Sequence, residues 1–145
     1  MRQILTVVAL VVVALVWPGA SSAGDPPAAP APVRGLIEAF NDHDPGRMSG
    51  WVTEDFELYY VTEGKAELAT AGPEQLAVEM TNYFRALPTV RSEIVSFVDG
   101  TRFFSFRERV SWTDGEIERI QSSIAVYELE GERIRRVWYF PAEGS

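Results

Sequence analysis

The chain has no cysteine and a single histidine. The first absence excludes disulfides, thiol nucleophiles, cysteine-bound metals and a lipid-modified N-terminal cysteine, so stability must come from a packed core. The second leaves too few ligands for a zinc site, and a histidine that falls outside the expected pocket, as this one does, cannot serve a Ser-His-Asp set there. His43 lies in the stretch Asn41-Asp42-His43-Asp44-Pro45, whose turn-forming neighbours give it a structural role. There is no glycine-rich phosphate loop. Positive charge is also scarce. Thirteen Lys and Arg stand against 21 Asp and Glu, a formal net charge of −8. A chain this acidic is a poor partner for nucleic acid or anionic lipid, and the charge serves solubility. Nothing in the sequence implies a metal or a cofactor.

A long apolar run occurs near the start. Arg2 precedes the 14 residues from Ile4 to Trp17, and Ser21-Ser22-Ala23 follow. This is the layout of a secretory signal peptide cut after Ala23. As a helix the run would span ~21 Å, short of a hydrocarbon core of ~30 Å. The expectation is an exported protein, secreted or periplasmic, free of the membrane once residues 1–23 are removed. Loss of Arg2 takes the net charge from −8 to −9. Residues 24–32, GDPPAAPAP, read as a semi-rigid linker because proline fixes φ. Residues 33–145 then form one domain, of a size that buries about two thirds of its unfolded surface.

Val33, Leu36, Ile37 and Phe40 recur at helical spacing, and a short second helix carries Met48 and Trp51. Phe56–Val61 alternates as a strand, and Glu63–Gly72 reads as a polar loop. Pro73 opens a helix with Leu76, Met80, Tyr83, Phe84 and Leu87 on its apolar face, and Pro88 stops it. Four strands follow: Val90–Val98, Phe103–Thr113, Glu116–Leu129 and Arg133–Phe140. They are separated by Asp99-Gly100, Asp114-Gly115 and Glu130-Gly131, pairs that suit two-residue hairpin loops. Helices first and an antiparallel meander last predict an α+β domain, its helices packed on one face of a strongly curved sheet.

Two-residue loops at Asp114-Gly115 and Glu130-Gly131 set a register. They align Phe104, Ala125 and Arg136; then Phe106, Ser123 and Trp138; then Glu108, Gln121 and Phe140. Val110 faces Arg119, and Tyr127 faces Ile134. Cross-strand partners point the same way, so all share the face under the helices. The opposite face receives an apolar group, Phe103, Ile124, Val126, Val137 and Tyr139.

The segments VRGLIEAFNDHD, WVTEDFELYY, the long helix and SSIAVYELEGERIRRVWYF resemble the nuclear transport factor 2-like superfamily and, within it, the SnoaL-like proteins. The resemblance covers residues 33–145. It implies a cone in which a curved sheet and helices enclose a pocket, used by ketosteroid isomerases, cyclases, epoxide hydrolases, dehydratases and non-catalytic partner domains. Ketosteroid isomerases use an aspartate base at the end of the first strand, a tyrosine in the first helix and an aspartic acid in the penultimate strand. The matching positions here are Tyr60, Leu36 and Ala125, so the resemblance does not carry that chemistry over. It does imply that Tyr60, Ala125, Arg136, Trp138 and Phe140 surround the pocket. The ending YFPAE departs from the aspartate often found after the last strand of SnoaL-like proteins.

The inferred cavity carries Phe104, Phe106, Trp112, Tyr127, Trp138 and Phe140, with Tyr60, Glu108, Arg119, Gln121, Ser123 and Arg136 as polar groups. A mostly apolar hollow with a few polar groups suits a small organic ligand. Glu108 has two readings. In one it is a general acid or base, its pKa raised by apolar surroundings, with Gln121 orienting it and Tyr60 and Arg136 binding a substrate oxygen or carboxylate. In the other it is a structural ion pair with Arg119 on the diagonal and Arg91 opposite, its pKa lowered. Arg136 either reaches the rim, stacks on Trp138 or a tyrosine, or holds an anionic ligand. Two functions follow. One is an exported small-molecule binder, with isomerase-, cyclase- or hydrolase-like catalysis as its enzymatic form. The other is a non-catalytic module that dimerises through Phe103, Ile124, Val126, Val137 and Tyr139. An open cavity favours the first and a filled one the second.

Overall fold

Why the chain turns where it does is visible in the computed structural model, which describes residues 28–141. The expected signal segment, residues 1–23, lies outside the described residues, as do residues 24–27 of the linker. The elements are α1 (Ala31–Asn41), α2 (Pro45–Gly50), β1 (Val52–Thr62), β2 (Lys65–Ala71), α3 (Gly72–Ala86), β3 (Arg91–Val98), β4 (Phe103–Asp114), β5 (Ile117–Glu130) and β6 (Arg133–Phe140). This is the expected α+β architecture, with one six-stranded sheet in the order β2-β1-β6-β5-β4-β3. β1 runs parallel to β6, and all other neighbours are antiparallel.

Helix α1 starts at Ala31, inside the expected linker, with Pro32 in its first turn, where a missing N–H costs nothing. Val33, Leu36 and Ala39 bury one face of it. Gly35 lies against the Trp51 ring, so close that a Cβ there would fall 2.1 Å from a ring carbon. α3 buries Leu76 and Phe84, and the Phe40 and Phe84 rings meet edge-on at 5.2 Å. These residues join Phe56, Phe104, Phe106, Tyr127 and Val137 in one core.

Residues 65–71, expected as a polar loop, form β2. Glu63 and Gly64 both have positive φ, 52° and 76°, and close a two-residue hairpin in which Thr62 faces Lys65. The strand is at the sheet's edge with most of its side chains in solvent, so it lacks the apolar alternation that marks a half-buried strand.

The β4–β5 and β5–β6 reversals use Gly115-Glu116 and Gly131-Glu132, with Asp114 opposite Ile117 and Glu130 opposite Arg133. Glycine, at φ 64° and 60°, takes the first loop position, as in type II′ turns, and not the second. Each pairing therefore moves by two residues, which leaves side chains on the same face. β4 and β5 keep their expected orientation, with Phe104, Phe106, Glu108, Ala125 and Tyr127 inward and buried.

β6 does not. A bulge interrupts its pairing with β5: Leu129 faces Ile134, but Glu128 faces Arg136. The extra residue reverses the alternation beyond that point. Val137 turns inward and is buried, and Tyr139 follows it into the core. Arg136 and Trp138 turn outward. The β3–β4 connection is also wider than two residues, with Val98 opposite Ser105. Ile94 therefore stands opposite Glu108, and Arg91 stands opposite Ser111.

Candidate functional site

Between the helices and the concave side of the sheet lies a cavity of about 480 Å³. α1 contributes Leu36, Ile37 and Phe40, and α3 contributes Leu76 and Met80. The sheet contributes Phe56, Leu58, Val110, Tyr127 and Val137. Its polar groups are Glu79, Glu108, Thr70, Gln121 and Ser123, with the hydroxyls of Tyr60, Tyr83, Tyr127 and Tyr139.

Glu108 is 4% exposed. The Ser92 hydroxyl donates to its Oε1. Ser92 is in turn held at the end of α1: its backbone N–H donates to Asn41 Oδ1 at 2.7 Å, and Asn41 Nδ2 donates to its carbonyl at 2.9 Å. Among the described residues no arginine pairs with Glu108. Burial pushes its carboxyl above the usual carboxylate range, partly opposed by the hydroxyls of Ser92 and Tyr139. The expected Arg91 and Arg119 partners are elsewhere because the registers moved. Arg91 is exposed opposite Ser111, and Arg119 sits near the exposed hairpin tip with Asp114 at 3.5 Å.

Hydroxyls gather around this carboxylate. The Tyr127 and Tyr139 oxygens are 3.1 Å apart. Burial and then the Glu108 charge raise both phenols. Tyr60 and Tyr83 are raised first by desolvation. The Glu79 and Glu108 charges add to the effect at Tyr60, and the Glu108 and Tyr60 charges add to it at Tyr83. Glu79, on α3, accepts from the Thr70 hydroxyl and from Gln75 Nε2, the latter at 2.8 Å.

Of the residues singled out in the sequence, Tyr60, Glu108, Gln121, Ser123, Tyr127 and Phe140 border the cavity. Phe106 is buried in the core beside Tyr127, the two rings 4.9 Å apart. Arg119, Arg136 and Trp138 do not border it. Arg136 lies on the convex face, its Nε 2.9 Å from Glu57 and its Nη1 3.1 Å from buried Glu128. Its guanidinium also lies 5.7 Å from the Trp138 ring centre. Both side chains are where the bulge put them. Conversely, Val137 and Tyr139, expected on the outer face, line the cavity.

Sequence reasoning missed Glu79, Thr70 and Tyr83 as site residues. Tyr83 was legible as part of an apolar helical face. Glu79 lies three residues after Leu76 and next to Met80, on that same face, but its charge suggests a solvent position. Among the described residues, no group of three or more His, Asp or Glu is placed to hold a metal ion.

An α+β cone with a six-stranded curved sheet and a hollow under its helices defines the cystatin-like, nuclear transport factor 2-like class, a small-molecule-binding fold. The profile of the SnoaL-like domain matches residues 33–137, and the chain belongs to that family. A search of curated proteins finds no match. Among solved structures, the chain is similar to a cystatin-fold protein from Novosphingobium aromaticivorans at 21% identity, with a TM-score of 0.65 over 77% of this chain and 98% of that one. It is similar to a putative polyketide cyclase from Bacillus cereus at 16% identity, with a TM-score of 0.62 over 74% and 70%. A putative hydroxylase from Streptomyces galilaeus aligns at 14% identity, with a TM-score of 0.61 over 75% and 84%. At these identities the likeness is one of fold.

Proposed function

We propose that the protein is an exported, dimeric binder of a small, largely apolar organic molecule, with Glu108 as the acid–base group for isomerase-, cyclase- or hydrolase-like proton transfer. The observation that carries this reading is a buried carboxylate with no cation beside it, facing an open cavity of about 480 Å³. That volume is in the usual range for ligand sites. A carboxyl with a raised pKa can donate a proton and, once ionised, take one back. Tyr60 supplies a donor for a ligand oxygen, and Gln121 and Ser123 supply further polar contacts along β5. The alternative, a module that only binds protein partners, has no use for a hollow of this size.

Export follows from residues 1–23 and is checked by N-terminal sequencing of the mature protein, which should begin at Gly24. The functional test is thermal unfolding against a panel of steroids, polyketides and other aromatic molecules. A ligand that binds only the native state raises the melting temperature, by an amount that grows with its concentration. Glu108→Gln should lose any turnover found with the same ligand. Turnover that persists in a folded Glu108→Gln variant removes Glu108 from the chemistry.

A further inference from the structure

The lining of the cavity restricts the charge of what it can hold. Among the described residues, two carboxylates border it, Glu79 from α3 and Glu108 from β4, and no Lys, Arg or His does. Arg136, the candidate for holding an anion, is tied to Glu57 and Glu128 on the other face of the sheet. An anionic ligand would be buried next to two acids with no countercharge, the costliest arrangement a cavity can offer. A neutral ligand could use the tyrosine hydroxyls, but it would offer the two carboxylates no countercharge. Both border the hollow together with Tyr60, and both charges act on its phenol. Aromatic rings line the hollow too: Phe40 and Tyr83 are 6.1 Å apart at the α1–α3 side. A hollow that combines aromatic rings with carboxylates is one in which ammonium groups are held. The net charge of −8 attracts the same kind of ligand from a distance.

We infer that the ligand is an organic cation, a protonated or quaternary amine on an apolar body, with its nitrogen between Glu79 and Glu108 and its body against the aliphatic and aromatic wall. This rests on the small-molecule reading above and narrows it. Glu108 then has a second state. Buried alone, it favours its proton; facing an ammonium, it favours ionisation.

The test compares three benzyl probes on the folded mature protein: benzyltrimethylammonium, its uncharged carbon isostere neopentylbenzene at fixed co-solvent, and the anion phenylacetate. Dissociation constants are measured by NMR titration. The expected result is that the ammonium binds at least about tenfold tighter than the isostere, and phenylacetate most weakly. Glu79→Gln and Glu108→Gln should each reduce that preference while leaving the isostere's affinity unchanged. If Glu108→Gln does not fold, Glu79→Gln carries the comparison, since Glu79 is only half-buried. An isostere that binds as tightly as the ammonium, or a preference that survives Glu79→Gln, overturns the cation inference and leaves the small-molecule reading standing. Binding of none of the three overturns both.

Discussion

Glu108 is held by one serine hydroxyl among apolar and phenolic neighbours, so ionising it inside the fold carries a desolvation cost. Its folded pKa lies above its ordinary value of 4.5. The folded chain thus holds this proton more tightly than the unfolded chain does. The stability linked to it is fully present below about 4.5 and declines as the pH rises toward the folded pKa. Asp55 and Glu57 are shifted downward, so their contributions run the other way. Comparison with Glu108→Gln cancels them. The unfolding free energy of the variant should gain on that of the parent as the pH rises above 4.5. Urea titrations across that range check it, and a difference that stays flat refutes the raised pKa. Arg136 makes the opposite case. Removing it leaves Glu128 with Arg102, so Arg136→Ala should cost roughly 1–2 kcal/mol. Ligand affinity should not change. An affinity loss at full stability would mean that Arg136 reaches the cavity after all.

At the scale of elements, β6 decides what the cavity contains. Val137 is 1% exposed, and Val137→Ala should lower stability by roughly 2 kcal/mol in a denaturant titration. The register read from the sequence placed that side chain outside, where the change would cost far less. The ranges of α1, α3, β4, β5 and β6 were legible because apolar periodicity and glycine-bearing turns mark them. Glu108 was legible because it is a lone carboxylate in the row Phe104, Phe106, Glu108, Val110, Trp112. The bulge was not legible. Arg135 and Arg136 both suit solvent, so nothing in their chemistry says that an extra residue has entered. β2 was missed for a related reason, since an exposed edge strand looks like a loop. Its Glu63-Gly64 turn has the same two residue types as Glu130-Gly131, and that was the available signal. Asn41 and Ser92, which together hold Glu108, carry no pattern at all; their meeting depends on α1 crossing β3.

The whole molecule exposes apolar groups on the convex face of its sheet. Phe103 is 48% and Ile124 56% exposed, and Val126 and Trp138 are half-buried beside them. This is a smaller group than the sequence suggested, because Val137 and Tyr139 have left it. A two-fold pairing through this face would leave both cavities facing away from the contact. Ile124→Lys should therefore convert a dimer to a monomer in sedimentation equilibrium without weakening ligand uptake. A parent protein that sediments as a monomer refutes the pairing outright.

The irregularity beside Glu128 has a consequence for heredity. Losing a single codon there would trade every later side chain of the strand between wet and dry surroundings at one stroke. Two descendants that differ by that codon would carry nearly identical text and unlike binding chambers. Any comparison of relatives that omits a gap at this point would match chamber walls with outer skin.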